Sequence, residues 1–291
     1  MADKVVDVHE VLRTKAPGLA RFMPPFVVRG LAAIVHEREI NEVLNLYRDK
    51  DGVAFMAALL DYFDVYPELE GSDNLPLEGR HIFASNHPLG GMDGICLSAI
   101  LGNWFDGNIC CIVNDLLLAL PNLQSICLPV NRHGPQGRVT ALLTDTVYAS
   151  DCQVITFPAG KCSRRRHGRI ADPEWKHSFV RKAVEYERDI VPIFFGGRNS
   201  AFFYRLANLR TAFGIGVNIE MLFLADELFR ARHSRFVIRV GKPIPWQTFH
   251  DDRSWSEWAD YVRRRTYALE KPGDTARSKH NSLNPNNRKT I

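Results

Sequence analysis

The sequence predicts an α/β fold: a mixed, largely parallel sheet flanked by helices, with an N-terminal helical appendage. Three observations support this prediction. Short β-rich apolar runs alternate with helical stretches over most of the chain, as in sheets buried between helices. The first 70 residues instead show helical periodicity. Finally, a chain of 291 residues, 45% of them hydrophobic, can bury one sizeable core.

The elements follow in chain order. The appendage, residues 1–70, holds helical patterns in "VVDVHEVL", "PFVVRGLAAIVHEREINEVLNLY" and "GVAFMAALLDYFDVY". The turn-rich "EGSDNLPLEG" leads into a domain at residues 71–270. Strands are predicted there at "HIFASN", "NICCIV", "SICLPV", "CQVITF", "DIVPIFF" and "RFVIRV", and helices at "GICLSAILG", "VTALLTDTVYA", "EWKHSFVRKAVEYE" and "SWSEWADYVRRRTYALE". Residues 271–291 have too few apolar side chains to pack and are predicted to be disordered.

Composition narrows the classes of function. The 37 Lys and Arg against 33 Asp and Glu give a net charge of +4, too small by itself to indicate nucleic-acid binding. Six cysteines without a CxxC spacing and ten histidines without an H-x-x-x-H pair predict no metal site, and a reduced cytosolic compartment fits them best. No apolar run reaches the roughly 18 residues of a membrane-spanning helix.

The loop "NHPLGGMDG" follows the first predicted strand of the sheet, at the end where α/β proteins place their sites. His87 can act as a general base near neutral pH if a carboxylate holds its tautomer, and Asp93 is the nearest carboxylate able to turn back towards it. Gly90 and Gly91 let the chain double back. Alternatively, Asp93 caps the helix that begins at Gly94 and His87 is a turn residue.

Three further loops after strands present cations. "LPVNRHG" contains Arg132, "FPAGKCSRRRHGR" contains Lys161 and Arg164, and "VPIFFGGRNS" contains Arg198. A basic loop after a strand, with a proline and a glycine between them, favours an anion-binding site. The same pattern is also typical of a solvated basic turn or an incidental RNA contact.

Taken in order, these loops resemble the four sequence blocks of the glycerophosphate and lysophospholipid acyltransferase family, over roughly residues 75–250. The match lies in Asn86-His87 with Asp93, in Arg132, in Phe157-Pro158 with Gly160 and Ser163, and in Val191-Pro192. One more residue than in the family separates His87 from Asp93. "FPAGKCS" has Ala159, Lys161 and Cys162 where the family has glutamate, threonine and arginine, and these changes lie in the acceptor-binding loop rather than in the dyad. The sequence is also similar to a bacterial subgroup often labelled hemolysins, which includes acyltransferases that complete ornithine- and glycine-type aminolipids.

The resemblance implies acyl transfer from a thioester, on acyl carrier protein or coenzyme A, to a lipid hydroxyl. His87 then takes the hydroxyl proton and Asp93 orients the ring. Backbone N–H groups near the Gly90-Gly91 turn or at the following helix are candidate donors to the oxyanion. No metal or cofactor is needed besides the thioester co-substrate. The acceptor is a lysophospholipid-type hydroxyl or, alternatively, an aminolipid hydroxyl, and the expected substrate-binding residues are Arg132, Gly160, Lys161, Ser163, Arg164 and Arg198.

The lipid acceptor implies a membrane surface as a partner. The segments "RFMPPFVVRG" and "SAFFYRLANLRTAFG" combine aromatic residues with arginines and could bind one, although ordinary core packing explains them as well. We expect a cytoplasmic, peripheral protein on the inner face of the bacterial cytoplasmic membrane, with no nucleic-acid partner. A non-catalytic lipid-binding membrane-surface protein is the alternative outside the enzymes, and RNA binding through "KCSRRRHGR" is a third.

Overall fold

The computed structural model describes residues 4–15, 17–113, 117, 120–129, 136–216, 218–274 and 278–279. The helices are α1 (Val8–Lys15), α2 (Pro17–Phe22), α3 (Pro25–Ile34), α4 (Glu37–Leu46), α5 (Gly52–Phe63), α6 (Met92–Trp104), α7 (Gln136–Ala149), α8 (Ser178–Glu185), α9 (Ala201–Ala212), α10 (Leu224–Arg230) and α11 (Trp255–Tyr267). The strands are β1 (Tyr66–Glu70), β2 (His81–Ser85), β3 (Ile109–Val113), β4 (Cys127–Pro129), β5 (Gln153–Thr156), β6 (Arg164–Arg166), β7 (Arg169–Ala171), β8 (Asp189–Phe195), β9 (Ser234–Val240) and β10 (Ser278–Lys279).

One mixed sheet organises the molecule. Its strands lie in the order β1-β9-β8-β2-β5-β3-β4, and β10 adds to β9. The run from β8 to β4 is parallel throughout, whereas β8 and β9 pair antiparallel. All six strands predicted from the sequence are present, and the predicted α/β class is confirmed.

Helices cover both faces of this sheet. Alternate residues along β2 point to opposite sides, so Phe83 joins a core with α5 and α6, whereas Ile82 joins a core with α8 and α11. All five residues of β2 are buried, as expected for a strand covered on both faces. The loop that leaves β2 therefore starts from a fixed point at the centre of the sheet.

Close packing of α5 against α6 fixes the helix that follows this loop. Gly102 of α6 faces Val53 of α5, and a Cβ at Gly102 would lie 2.4 Å from the Val53 Cγ2. The absence of a side chain at Gly102 lets the two helices approach closely. The position of α6 is thus set by the core.

The N-terminal segment differs from the prediction in two details. The helix expected over "PFVVRGLAAIVHEREINEVLNLY" is broken at His36, which has a left-handed backbone (φ 54°) and stacks its ring 4.4 Å from that of Phe229. The helix expected through Tyr66 ends at Phe63, since Asp64 is also left-handed (φ 50°). The next residues form β1, which pairs parallel with β9 at the sheet edge.

The basic loop forms a structure of its own. Arg164–Arg166 and Arg169–Ala171 pair as an antiparallel hairpin, called the basic hairpin below. His167 and Gly168 form its turn with positive φ values of 48° and 80°, typical of a tight two-residue hairpin connection.

Part of the segment predicted to be disordered is described. The carboxylate of Asp274 pairs with the guanidinium of Arg239, and Ser278–Lys279 pairs with β9. The other residues after 274 lie outside the described part of the chain, and their disorder stays a prediction, as does the division into domains. No helix in the described ranges is long and apolar enough to cross a membrane.

Candidate active site

The site is built at the carboxyl end of β2, where Asn86 locks the strand to its neighbour. The Asn86 side-chain amide donates to the carbonyl of Phe195 at 2.9 Å, and its Oδ1 accepts the Phe195 N–H at 2.6 Å. These two bonds tie the ends of β2 and β8 together, and the next residue is His87. The chain therefore leaves the sheet at His87 from a position that is fixed by both β2 and β8.

His87 and Asp93 are in contact, as the sequence predicted. The His87 Nδ1 lies 3.0 Å from the Asp93 Oδ2, and Asp93 is fully buried. The same carboxylate accepts the N–H groups of Leu89 at 2.9 Å, Gly90 at 3.3 Å and Gly94 at 3.0 Å. The loop wraps around the carboxylate with Gly90 at φ 80°. The helix begins at Met92, so Asp93 lies inside its first turn and is not its N-cap, as the alternative expected. Its carboxylate instead binds His87 and N–H groups of the loop and of Gly94.

The electrostatics of the pair suit a general base. Burial opposes the charge of Asp93, but His87 and the donated N–H groups outweigh it and lower the pKa of this carboxyl. Burial likewise disfavours a charged His87, yet the Asp93 carboxylate outweighs it and raises the pKa of the imidazole. An ionised Asp93 accepts the Nδ1 proton of a neutral His87 and leaves Nε2 unprotonated. The His87 side chain is 18% exposed, so a substrate can approach it.

The "FPAGKCS" loop packs directly on His87. The ring of Phe157 lies 4.2 Å from the imidazole, centroid to centroid. The Ser163 N–H donates to the carbonyl of His87 at 2.7 Å. The residues at the two ends of this loop, Phe157 and Ser163, therefore both contact His87. Two of the four sequence blocks thus meet at the histidine.

Asp172, which was not singled out from the sequence, accepts the backbone N–H of His87. Both of its carboxylate oxygens lie 3.2 Å from the His87 N–H, and it also accepts from the Ser163 hydroxyl at 2.6 Å and the Trp175 indole at 2.9 Å. Burial raises the pKa of Asp172 in spite of these donors. The signal in the sequence is slight: an aspartate before a proline in "IADPEW", a pattern typical of a turn.

The predicted substrate-binding residues separate into inward-facing and outward-facing groups. Ser163 is buried and its hydroxyl is directed to Asp172. Arg164 is 12% exposed and donates to the fully buried Glu220 at 2.8 Å, which also pairs with Arg210 at 2.9 Å. Gly160 adopts φ 61° and lies against Lys176. Their roles as substrate contacts stay predictions.

Lys161 and Arg198 are both exposed, and Arg132 lies outside the described residues. Their roles as substrate contacts also stay predictions. Among the described residues, no three His, Cys, Asp or Glu side chains are placed to hold a metal ion.

Two cavities flank the basic hairpin. One, of about 440 Å³, lies between the hairpin and α11 and is lined by Arg164, Arg166, Asp172 and Arg263 among others. The second, of about 690 Å³, lies between the opposite face of the hairpin and the start of α9. We call the second one the hairpin cavity. The hairpin thus presents cations to two spaces on either side of it.

This α/β fold places a His–Asp pair at the carboxyl end of a central parallel strand, and comparison with known proteins shows the family of the chain. The family model described as Acyltransferase matches residues 10–276, so this chain belongs to that acyltransferase family. The resemblance found in the sequence is confirmed. The chain is an O-acyltransferase, and the interpretation as a non-catalytic lipid-binding protein is wrong.

Two relatives are similar over nearly their whole length. The lyso-glycine lipid O-acyltransferase of Bacteroides thetaiotaomicron is 48% identical over 265 residues, which cover 91% of this chain and 97% of the relative. The protein of the same name from Phocaeicola vulgatus is 46% identical over 265 residues, covering 91% and 95%. Among solved structures, the 1-acyl-sn-glycerophosphate acyltransferase PlsC of Thermotoga maritima matches with a TM-score of 0.44 and 15% identity, over 90% of this chain and 95% of that one.

Proposed function

We propose that this chain transfers a fatty acyl group from a thioester, on acyl carrier protein or coenzyme A, to a hydroxyl of a singly acylated glycine lipid. The observation behind the proposal is the contact of the partly exposed His87 with the buried Asp93, in a chain 48% identical to a lyso-glycine lipid O-acyltransferase. Of the two acceptors expected from the sequence, this favours the aminolipid hydroxyl over the lysophospholipid one.

The proposed chemistry is one proton-coupled displacement. The acceptor hydroxyl oxygen bonds to the thioester carbonyl carbon as its proton passes to the His87 Nε2. The carbon–sulfur bond then breaks, and the proton on Nε2 passes to the departing sulfur, which regenerates the neutral imidazole. Asp93 remains ionised throughout and stabilises the positive charge on His87.

Hydrogen bonds within the loop limit which N–H groups can donate to the oxyanion. The N–H groups of Leu89 and Gly90 already donate to Asp93. They stabilise the base and are not aimed at a substrate carbonyl. The Gly94 N–H also donates to Asp93, and the Ile95 N–H donates to the carbonyl of Gly91. The expectation that N–H groups near the Gly90–Gly91 turn bind the oxyanion is therefore restricted to those of Gly91, Met92 and Asp93.

A membrane surface is the proposed source of the acceptor. The turn at Ile219–Phe223 packs against both α3 and α9, which bring the two segments singled out in the sequence to the same side of the molecule. Large apolar side chains are exposed there, Phe22 by 82%, Phe26 by 67% and Phe213 by 73%. Exposed aromatic residues beside arginines suit the interface of an anionic bilayer. We propose a peripheral location on the inner face of the bacterial cytoplasmic membrane.

The test is transfer of labelled acyl groups from acyl carrier protein and from coenzyme A into lyso-glycine lipid and lysophosphatidate, with wild type and His87→Ala. We expect label in lyso-glycine lipid with the wild type, and a loss of turnover of about a hundred- to ten-thousand-fold in the variant. The matched control is His250→Ala. The His250 Nδ1 lies 2.8 Å from Asp252, but both side chains are exposed, so this variant should keep full activity.

An active His87→Ala protein would remove the mechanism proposed here. Label that enters lysophosphatidate in place of lyso-glycine lipid would keep the mechanism and replace the acceptor. Circular dichroism of both histidine variants shows whether the fold is retained.

A further inference from the structure

Two thiols lie together near the amino ends of the strands, at the opposite end of the sheet from His87. Cys110 is the second residue of β3, and Cys152 directly precedes β5, the parallel neighbour of β3. Cys110 lies opposite Val154 in this pairing, so alternation along the strands places Cys110, Cys152 and Val154 on one face of the sheet. All six cysteines are free, and the Cys110 thiol donates a hydrogen bond to the Cys152 sulfur. The fold therefore places two free thiols in contact.

The Cys152 sulfur has a second donor in the hydroxyl of Ser150. This hydroxyl lies 3.2 Å from the sulfur and 2.8 Å from the carbonyl of Val147, and its single proton can serve either acceptor. A charged sulfur is a stronger acceptor than a backbone carbonyl. Ionisation of Cys152 therefore directs the Ser150 hydroxyl to the sulfur.

A buried positive charge lies beside Cys152. Arg188 is fully buried, and all five of its N–H groups donate to backbone carbonyls, including those of Tyr148 at 2.8 Å and Cys152 at 2.7 Å. No carboxylate among the described residues is therefore bound to this guanidinium. Burial lowers the pKa of Arg188, and a negative charge on Cys152 is the largest of the effects that oppose this. A thiolate at Cys152 thus supplies the anion that a buried cation requires.

The two thiols differ in acidity and in access. The hydrogen bond from Cys110 lowers the pKa of Cys152 most, and Ser150 and the charge of Arg188 lower it further, although burial raises it. The same hydrogen bond raises the pKa of Cys110. Cys152 is partly exposed, whereas Cys110 is buried. The thiolate is the reactive form of cysteine, so a small oxidant reaches the more reactive of the two first.

We propose that Cys152 is a peroxide-reactive thiol and that Cys110 resolves its oxidised form as an intramolecular disulfide between β3 and β5. This inference goes beyond the proposed function, since neither thiol belongs to the site around His87.

The chemistry balances with hydrogen peroxide as the oxidant. The Cys152 thiolate bonds to one peroxide oxygen, the O–O bond breaks, and hydroxide leaves, which gives a sulfenic acid on Cys152. The Cys110 sulfur then bonds to the Cys152 sulfur, and the sulfenic hydroxyl leaves with the Cys110 proton as water. Overall, two thiols lose two electrons and two protons, and one peroxide becomes two water molecules.

Treatment of the reduced, full-length chain with hydrogen peroxide tests the proposal. By mass spectrometry, we expect the intact wild-type chain to lose two hydrogen atoms. Peptide mapping without reductant should then link the peptides of Cys110 and Cys152, and dithiothreitol should reverse the link. Cys110→Ser lacks the resolving thiol, so its sulfenic acid should persist and dimedone should label Cys152.

Cys127→Ser is the matched control. Cys127 is also partly exposed and lies directly opposite Cys111 in the pairing of β3 with β4, but burial raises the pKa of Cys127 to about 11. This variant should form the disulfide at the wild-type rate, whereas Cys152→Ser should form none. In the Cys110→Ser background, Ser150→Ala should slow labelling of Cys152 by dimedone about three- to tenfold, because the thiolate loses one donor.

Three outcomes would overturn the proposal: no loss of hydrogen atoms by the wild type at peroxide concentrations that oxidise free cysteine, a disulfide between Cys111 and Cys127, or equally fast dimedone labelling of Cys127 and Cys152 in Cys110→Ser. The first two are measured on the wild-type chain, so a variant that fails to fold leaves the test intact. The proposed function fails separately, since acyl transfer is assayed on the reduced chain.

Discussion

The loop from His87 to Asp93 and the basic hairpin use polar groups in opposite ways. In the loop, one fully buried carboxylate accepts one imidazole and three backbone N–H groups, and every donor comes from the same short stretch of chain. In the hairpin, Arg165 and Arg166 are exposed and form no ion pair within the described ranges. The polar groups of the loop are paired with one another, whereas these two arginines of the hairpin are paired with no carboxylate of the described residues.

The difference has a physical cause. A buried carboxylate is tolerated only when its oxygens are satisfied, so the position of Asp93 is fixed by the folded loop itself. An exposed guanidinium stays hydrated and gains little from a surface partner, so it costs little to leave it unpaired. A site can therefore combine a rigid base with an adaptable, solvated binding surface.

The largest effect is expected from Asp93→Asn. A carboxamide has one acceptor oxygen, so it cannot serve both His87 and Gly94 as the two carboxylate oxygens do. If its NH₂ group faces the imidazole, the Nδ1 becomes the acceptor and the Nε2 carries the proton, which is the wrong tautomer for a base. We expect kcat to fall on the order of a thousandfold or more, with the KM for the acceptor little changed.

Asp252→Asn is the matched control, because it alters the exposed His–Asp contact and should leave kcat within about twofold. Retained activity in Asp93→Asn would contradict the view that the loop from His87 to Asp93 supplies the base. It would show that the internal hydrogen bonds of the loop serve stability alone and that another group takes the proton.

Asp172→Asn is expected to give an intermediate effect and to move the pH profile. In the wild type the base must be neutral, so kcat/KM should fall as the pH falls through the raised pKa of His87. The charge of Asp172 is one of the causes that raise this pKa, after Asp93. Its removal should therefore shift the acid limb of the profile to lower pH. We expect kcat to fall about tenfold, since the His87 N–H loses part of its support.

The pH profile separates positioning from simple loss of structure. A destabilised protein loses activity at every pH without moving the acid limb, whereas loss of a nearby negative charge moves it. If the limb of Asp172→Asn stays where it is in the wild type, or moves to higher pH, Asp172 acts on the fold and not on the base.

The sequence predicted the parts of the site that are local in the chain. His87 and Asp93 are six positions apart, and glycines between them signal the turn that brings them together. The six strands ahead of candidate loops were found because buried parallel strands are continuous apolar runs. Strand β1 was missed, since "YPELE" is an edge strand with a proline and two acidic residues that directly follows a helical pattern.

The contacts that were missed join distant parts of the chain. Asp172 lies 85 positions from His87, and Asn199, which the sequence presents beside Arg198 after a Gly-Gly turn, lies 110 positions from Leu89. Their contacts exist because β2, β5 and β8 are neighbours in the sheet, which brings the loops that follow them together. The basic hairpin was also not predicted as strands, because its residues are almost all charged and its pairing depends on the turn at His167 and Gly168. No pattern of neighbouring residues in the sequence indicates contacts between distant loops or the pairing of such a charged hairpin.

The smallest effect is expected from a change in salt concentration. It tests whether the loop from His87 to Asp93 and the basic hairpin act separately. Unpaired cations in a solvated cavity interact with an anionic head group over distances that ions screen, with a Debye length of about 10 Å at 0.1 M and about 3 Å at 1 M. The contact of Asp93 with His87 is buried and hardly screened. Between these concentrations of a monovalent salt, we expect the KM for the acceptor to rise about threefold while kcat stays constant. Arg198→Ala should flatten the rise in KM, because that variant removes one of the screened charges. A salt-dependent kcat at saturating acceptor would contradict this view, since it would mean that the charges of the basic hairpin act in the chemical step and that the two regions are not separate.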